Sequence, residues 1–220
     1  GLLVAAATIL MSGQAVLGGH FIAATVRPQI GQVGTTFEVE IQGQGLEQPQ
    51  DLLFYHEGFS CLKIEPPAAG PDGSRQKKAK PGTVAVATIR VAADVEPGEC
   101  LFRVRTDHAL SELLSLWVTK LPVVPEEHPG ADAGQGPENR NDTRETAQTI
   151  PLNCTVVGYQ QHWTENDRDC YLVSLTKGQR CTAEIVSSRL GTHHGMGITD
   201  MVLEVFDPTG KRVAFCDDTP

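Results

Sequence analysis

Apolar and polar residues alternate along the chain from Thr35 onward, and this pattern predicts short strands. In "TTFEVEIQG", Phe37, Val39 and Ile41 fall on one face and charged residues on the other, as in a half-buried strand. The segments "DLLFY", "CLKI", "TVAVATIRVA" and "CLFRVRT" follow, separated by Gly, Pro and Asp. Strands at this spacing, without a convincing long helix, predict a β-sandwich over residues 24–122.

The segment "HALSELLSLWV" has two interpretations. Leu110, Leu113, Leu114 and Trp117 fall at helical spacing. We prefer a strand over "LSLWVTK", because "CLFRVRT" ends only a few residues earlier. The intervening "DHA" suits a short hairpin turn.

A change of composition separates two predicted domains. Residues 123–137, within "LPVVPEEHPGADAGQGP", are rich in Pro, Gly, Ala and acids, which predicts a semi-extended, solvated linker. Residues 138–220 then return to β character, with candidate strands "CTVVG", "CYLVSL", "CTAEIV", "MVLEVF" and "KRVAFC". In "DPTG", Pro208 and Gly210 stand at the second and fourth positions of a type I turn. The sequence stops at "CDDTP", directly after a strand, so we expect a partial second domain, truncated at its C-terminus.

The second domain opens with "PENRNDTRETAQTI". Asp142 is placed to cap one helical turn, and Glu145 three residues later makes the pattern close to a capping box. Ala147 and Ile150 give this turn an apolar side. We therefore expect a structured opening rather than a frayed linker.

The start of the chain is apolar. Residues 1–18 lie within "GLLVAAATILMSGQAVLGG", no charged residue precedes Arg27, and small residues at Gly13 and Ala15 offer a cleavage site. The apolar run Leu2–Met11 is too short to span a bilayer, which takes about 20 residues. It fits a secretory signal peptide clipped at its start, the alternative being a buried strand or helix.

The net charge is −9 and the pI about 5.2, which argues against a nucleic-acid binder. The basic cluster of Arg75, Lys77, Lys78 and Lys80 has no aromatic neighbour to stack on bases, and we interpret it as a solvated loop.

Six cysteines divide into two in the first half and four in the second, with no CxxC pair to suggest a zinc knuckle or a redox motif. In an exported protein an even number in each half suggests disulfides within each half. Cys61 with Cys100 is the pair we propose for the first half. The other four, Cys154, Cys170, Cys181 and Cys216, allow three connectivities. Buried thiols remain the alternative throughout.

The second half resembles a known family. "NDTRETAQTIPLNCTVVGYQ…ENDRDCYLVSLTKGQRCTAEIVSSRLG…DMVLEVFDPTGKRVAFCDD" is similar to the bacterial pre-peptidase C-terminal domain of planctomycete-type secreted proteins. That family shows E-P-N-D before a short helical turn, then G-D-x-D-Y-F, K-G-Q, and a D-x-x-G turn followed by "DD". The resemblance covers residues 138–220 and implies a non-catalytic, jelly-roll-like β-sandwich.

The first half resembles an immunoglobulin-like domain of the TIG/IPT type. "RPQIGQVGTTFEVEIQGQGL" is similar to that family's opening turn and strand, and "GECLFRVRTDHALSELLSLWV" to its closing hairpin. Together the two resemblances imply an all-β protein of two sandwich domains.

The resemblance also implies a metal site. Some relatives, notably collagen-binding domains of clostridial collagenases, bind calcium where the opening segment meets the D-x-D loop. Here the opening segment has Asn139 and Arg140 in place of the family's Glu and Pro, and Cys170 stands where the family has Tyr. Calcium prefers six to eight oxygen ligands. The ligands implied are Asp142, Asp167 and Asp169, with Asn139, Asn141 and Glu138. The alternative is that Asp142 is only a cap and the other two aspartates are turn residues.

Catalytic patterns are missing from the sequence, which has no GxSxG, HExxH, P-loop or GxGxxG motif. Asp107, His108 and Ser111 share one hairpin and cannot easily form a nucleophile–base chain. His193 and His194, in "GTHHGMG", fit an exposed loop or a metal site. The prediction is therefore a non-catalytic binding, adhesion or presentation module of a larger secreted bacterial protein.

We expect such a module in the extracellular space or cell envelope. Its partners would be an extracellular polymer, polysaccharide or protein, or other domains of the same protein, with no nucleic acid and no membrane span. The alternative is an accessory region of a secreted peptidase or other hydrolase whose catalytic domain lies outside this chain. A structural cell-envelope protein is a third option.

Overall fold

The computed structural model of the protein describes residues 22–67, 80–126, 141–158, 168–186 and 201–217. These residues form strands and turns and contain no helix. The predicted signal peptide, the linker beyond residue 126, most of the basic cluster and both histidines of "GTHHGMG" lie outside the described ranges. The strands are β1 (Ile22–Arg27), β2 (Ile30–Gln32), β3 (Thr36–Gln44), β4 (Pro49–Phe54), β5 (Phe59–Glu65), β6 (Val84–Val91), β7 (Gly98–Thr106), β8 (Leu114–Thr119), β9 (Val123–Pro125), β10 (Gln148–Thr149), β11 (Thr155–Val157), β12 (Tyr171–Leu172), β13 (Leu203–Phe206) and β14 (Arg212–Cys216).

The first eight strands form a β-sandwich, which confirms the all-β fold. One four-stranded sheet has the order β1-β3-β6-β5 and the other the order β2-β8-β7-β4. Neighbouring strands run antiparallel except β2, which pairs with β8 in parallel.

The core lies between the two sheets because alternate residues of the inner strands face each other there. In β6, Ala85, Ala87 and Ile89 are fully buried. Phe102 and Val104 of β7 close the core from the other sheet. The period-two pattern of the sequence therefore corresponds to one buried face per strand.

The ambiguous "HALSELLSLWV" segment ends in a strand. β8 pairs antiparallel with β7, and Phe102 stands opposite Leu114. The connection is the expected tight turn, in which the Thr106 N–H donates to the Ala109 carbonyl over 2.9 Å. The strand prediction over "LSLWVTK" is confirmed.

The beginning of the predicted linker is structured. β9 pairs in parallel with β11, and Glu126 N–H donates to the Val157 carbonyl over 3.0 Å. Residues 123–126 are therefore not a solvated linker. Composition was misleading here because the strand that β9 needs as partner comes about thirty residues later in the chain.

The described residues of the second region form two small strand pairs, in addition to β11. β10 pairs in parallel with β12, and β13 with β14 in an antiparallel hairpin. The hairpin turn is the predicted one: Gly210 N–H donates to the Asp207 carbonyl over 2.9 Å, and Gly210 has φ 88°. "CTAEIV" forms no strand in the structure. The jelly-roll arrangement stays a prediction.

Candidate functional site

A buried polar cluster lies where the sandwich meets the second region. We call Glu126, Asn141, Gln148 and Tyr171 the junction cluster. One carboxylate oxygen of Glu126, Oε1, accepts from the Asn141 amide over 2.9 Å and from the Tyr171 hydroxyl over 3.2 Å. Glu126 is only 6% exposed and Asn141 1%. Paired donors offset the cost of burying this carboxylate.

Strand pairing brings these side chains together. Glu126 directly follows β9, and β9 is held in place by its pairing with β11. Gln148 lies in β10 and stands opposite Tyr171 in β12. Its amide donates to the Pro125 carbonyl over 3.0 Å, which ties β10 to the end of β9. The junction cluster thus joins three separate stretches of chain.

Electrostatics keep the Tyr171 hydroxyl protonated. Burial raises the pKa of Tyr171 well above its usual value, and the neighbouring Glu126 carboxylate raises it further. The hydroxyl therefore stays a donor to Glu126. This is a structural bond rather than a source of acid–base chemistry near neutral pH.

Sequence reasoning missed this cluster. Glu126 sits in "VPEEHPG", a composition typical of solvated linkers. The one usable signal was Tyr171 in an apolar strand, because a buried tyrosine hydroxyl usually finds a partner. Nothing local identified that partner.

The predicted calcium ligands are only partly described. Glu138, Asn139 and Asp167 lie outside the described residues. Asn141 is described, and its amide nitrogen is engaged with Glu126. Cys170 N–H donates to the Asn141 carbonyl over 2.7 Å, so the 141–142 peptide faces the 169–170 peptide. Asp142 and Asp169 therefore flank one hydrogen bond.

Asp142 does not act as the predicted helix cap. Residues 143–146 form a turn instead of a helix, in which Thr146 N–H donates to the Thr143 carbonyl. The Thr143 N–H is satisfied by the Thr146 hydroxyl over 3.2 Å. The Oδ1 atom of Asp142 is buried and makes no hydrogen bond within the described structure. A short polar loop closed by threonine hydroxyls has replaced the capped helical turn.

Both carboxylates act on the neighbouring thiol. Burial raises the pKa of Cys170, Arg168 opposes this effect, and Asp169 and Asp142 add to the rise. Within the described ranges no three His, Cys, Asp or Glu side chains lie close enough together to hold a metal ion.

The structure does not support the predicted Cys61–Cys100 disulfide. All six cysteines are described, and none forms a disulfide. Cys61 lies against the Leu52 backbone, while Leu52 stands opposite Val104, four residues along β7 from Cys100. That offset is about 13 Å along a strand. It exceeds the roughly 7 Å that a disulfide allows between Cα atoms. Burial, with a contribution from Glu99, raises the pKa of the Cys100 thiol to about 12.

A second candidate site lies at the loop end of the sandwich. We call it the polar cleft; it has a volume of about 290 Å³ and is lined by Gly45, Glu47, Gln48, Thr106, Asp107 and His108. Ser111 lies nearby in sequence but is buried, and its hydroxyl donates to the Glu112 carbonyl. It is therefore engaged in the backbone of the hairpin.

No helix in the described part of the chain has the length and apolar character needed to cross a bilayer. No protein-family model matches the sequence, and no curated protein matches it. The TIG/IPT and pre-peptidase C-terminal resemblances stay predictions.

Comparison with solved structures gives matches to cohesins. A type I cohesin–dockerin complex from Clostridium thermocellum is 10% identical over 45% of this chain and 97% of that chain, with a TM-score of 0.28. A ScaB type I cohesin from Pseudobacteroides cellulosolvens is 13% identical over 46% of this chain and 92% of that one, with a TM-score of 0.27. Matches at such TM-scores carry no weight in assigning function. The sandwich assignment rests on the strand pairing described above.

Proposed function

We propose that the chain is a non-catalytic binding module of a larger secreted bacterial protein, located outside the cell or in its envelope. The observation that carries this proposal is the polar cleft at one end of the sandwich. Ligand sites commonly combine a concave surface with a few placed polar groups. In folds of this kind the loops carry recognition and the sheets hold them in place.

Both loops of the polar cleft are held by hydrogen bonds to the backbone. Gly45 has φ 85°, and the fully buried Leu46 anchors the loop, with its N–H donating to the Gly82 carbonyl over 2.8 Å. In the opposite loop the Thr106 hydroxyl accepts from Ala109 N–H over 3.2 Å. Loops already ordered in the unbound protein lose little entropy on binding.

The side chains on these loops point to a polar ligand. Glu47, Gln48, Asp107 and His108 are exposed and together offer carboxylate, amide and imidazole groups. Such groups pair with the hydroxyls of a polysaccharide or the amides of an extended protein. An extracellular polymer of either class fits the cleft.

Binding of the full chain to immobilised polysaccharides and collagen-like polymers tests this proposal. We expect the double variant Glu47→Ala with His108→Ala to lower affinity at least tenfold, because each lost charged or polar contact costs about 1–3 kcal/mol. Glu57→Ala, an exposed carboxylate at the opposite end of β4, is the matched control and should leave affinity unchanged. Equal affinity in all three proteins, or no binding to any polymer, would overturn the proposal.

We also propose that the opening of the second region binds a calcium ion. The buried Oδ1 of Asp142 lacks a hydrogen-bond donor within the described structure, and Asp169 lies next to the other end of the Asn141–Cys170 backbone hydrogen bond. A hard cation would satisfy that oxygen, and oxygen ligands suit calcium. Asp142 and Asp169 would hold the ion with Asp167, Asn139, Asn141 and Glu138. Its role there would be to order the opening segment.

Thermal melts of the full chain with calcium and with excess chelator test the metal. At one hundred times its dissociation constant calcium should add about 2.7 kcal/mol to the unfolding free energy. Asp142→Asn should abolish the shift, and Asp94→Asn, an exposed residue between β6 and β7, should retain it. Equal melting temperatures with calcium and with chelator would remove calcium from the proposal and leave the polar cleft untouched.

A further inference from the structure

We propose that Cys181 and Cys216 form a disulfide that closes a cleft beside the β13–β14 hairpin. We call this the hairpin cleft. Its volume is about 310 Å³, and its lining includes Cys181, Ala183, Leu203, Val205, Ala214 and Cys216. The two cysteines are 35 positions apart in sequence, and both line this cleft.

The register of the hairpin explains how Cys216 reaches this space. Leu203 stands opposite Cys216, and Val205 stands opposite Ala214. Residues directly opposite each other in an antiparallel pair project to the same face. All four side chains therefore share one face, and the stretch from Cys181 to Ala183 lies against it.

Exposure separates this pair from the other cysteines. Cys181 and Cys216 are exposed, Cys61, Cys154 and Cys170 are half-buried, and Cys100 is buried. Thiol–disulfide exchange needs access to the attacking sulfur and a usable thiolate fraction. Burial raises the pKa of Cys61 and of Cys170, and the Cys154 thiol donates to the Pro151 carbonyl over 3.1 Å. Because Cys181 and Cys216 are the exposed cysteines of the six, an external oxidant reaches their sulfurs first.

The oxidant is a small-molecule disulfide of the oxidised-glutathione class. One cysteine thiolate attacks a sulfur of the oxidant, forms a mixed disulfide and releases one small thiol. The second cysteine thiolate then attacks the protein sulfur of that mixed disulfide and releases the other small thiol. The two protein thiols give up two electrons and two protons in all, and these reduce the oxidant to two thiols.

The bond would attach the strandless "CTAEIV" stretch to the hairpin. Val205 is 41% exposed and Ile185 39% exposed, so this surface is only partly covered. Linking Cys181 to Cys216 encloses the chain between them, which restricts the unfolded state more than the folded one. The result is a stapled second region of higher stability.

Peptide mapping of the full chain tests the pairing directly. Trypsin places Cys181 in peptide 181–189 and Cys216 in 213–220, while Cys154 and Cys170 fall in 145–168 and 169–177. After incubation with oxidised glutathione and alkylation of remaining thiols, we expect peptides 181–189 and 213–220 to be cross-linked. Recovery of either peptide linked to 145–168 or 169–177, or of both as alkylated thiols, would overturn the proposal.

Two variants and one control make the mapping specific. Cys154→Ser combined with Cys170→Ser should leave the cross-link intact, and Cys181→Ser should abolish it. The same oxidation in concentrated guanidinium chloride should give a mixture of connectivities, which controls for chance pairing. The oxidised chain should melt several degrees above the reduced chain. Equal melting temperatures would contradict the stapling role.

Discussion

Residues 22–126 and residues 141–217 contain strands of similar apolar content, yet they bury those residues very differently. In the sandwich, Phe102 and Ile89 are fully buried between the sheets. In the hairpin of the second region, Phe215 is 53% exposed and Val213 58%. Alternation and turn residues account for the hairpin strands, whereas burial needs a second layer packed about 10 Å away. The described part of the second region does not provide that layer.

The two regions also differ in what joins them. The sandwich core is apolar, with the Phe54 and Phe102 rings in contact at 5.6 Å between centroids. The second region is attached through strand pairing and the junction cluster, in which Glu126 and Asn141 meet. We therefore expect the sandwich to respond to lost volume, and the second region to respond to lost hydrogen bonds.

The largest expected effect comes from a matched pair of phenylalanines. Phe102→Ala should lower the unfolding free energy by about 3–5 kcal/mol, because it removes a fully buried ring and leaves a cavity. Phe215→Ala removes a ring that is already half exposed and should cost under about 1 kcal/mol. Urea titrations followed by circular dichroism measure both. Similar losses for the two variants would mean that Phe215 is buried as completely as Phe102.

A smaller effect is expected at the junction cluster. Asn141→Ala removes one donor from the buried Glu126 carboxylate and should cost about 1–3 kcal/mol. Faster hydrogen exchange should be confined to the amides of β11 and β12, with the sandwich amides unchanged. Thr149→Ala, an exposed neighbour in β10, is the control. Faster exchange in β6 or β7 would show that the two regions unfold together.

A pair of glycines with the same backbone angle gives a still smaller difference. Gly178 and Gly210 both have φ 88°, a region that costs an alanine about 1–2 kcal/mol. A Cβ at Gly178 would meet open space, whereas one at Gly210 would overlap the Arg144 guanidinium. Gly210→Ala should therefore cost about 0.5 kcal/mol more than Gly178→Ala. That excess should vanish in an Arg144→Ala background, as measured by thermal melts.

Raising the pH above about 9 should lower the stability of the two regions at different pH values and leave both unchanged at neutral pH. The Cys100 pKa rises from 9.0 to about 12 on folding, so the unfolded state loses its proton first as pH rises. Stability of the sandwich should then fall between about pH 9 and pH 12. At the junction cluster, stability should fall only above about pH 10, where Tyr171 loses its proton in the unfolded state. Urea midpoints measured across this range should fall less steeply in Cys100→Ala than in the unaltered protein. The further fall above about pH 10 should be reduced in Tyr171→Phe.

Sequence reasoning succeeded where a structure depends on neighbours in the chain. Strands β3 to β8 of the sandwich, the β7–β8 hairpin and the "DPTG" turn depend on alternation and on turn residues, which are local signals. The strands before Thr35, β1 and β2, were not predicted. It failed where the partner is remote: β9 becomes a strand because β11 lies beside it, and Glu126 is buried because Asn141 and Tyr171 reach it. The Asp142 cap failed for another reason: residues 143–146 form a turn closed by Thr146 N–H to the Thr143 carbonyl, so no helix follows Asp142.

The parallel pairing of β9 with β11 has a mechanical consequence. The two strands are loaded from opposite ends when the chain is pulled, since tension enters β9 from the sandwich and leaves β11 toward Gly158. Force is then applied in shear, and bonds such as Thr155 N–H to Pro122 and Glu126 N–H to Val157 share the load instead of opening one by one. A chain under tension would extend in one step at this point.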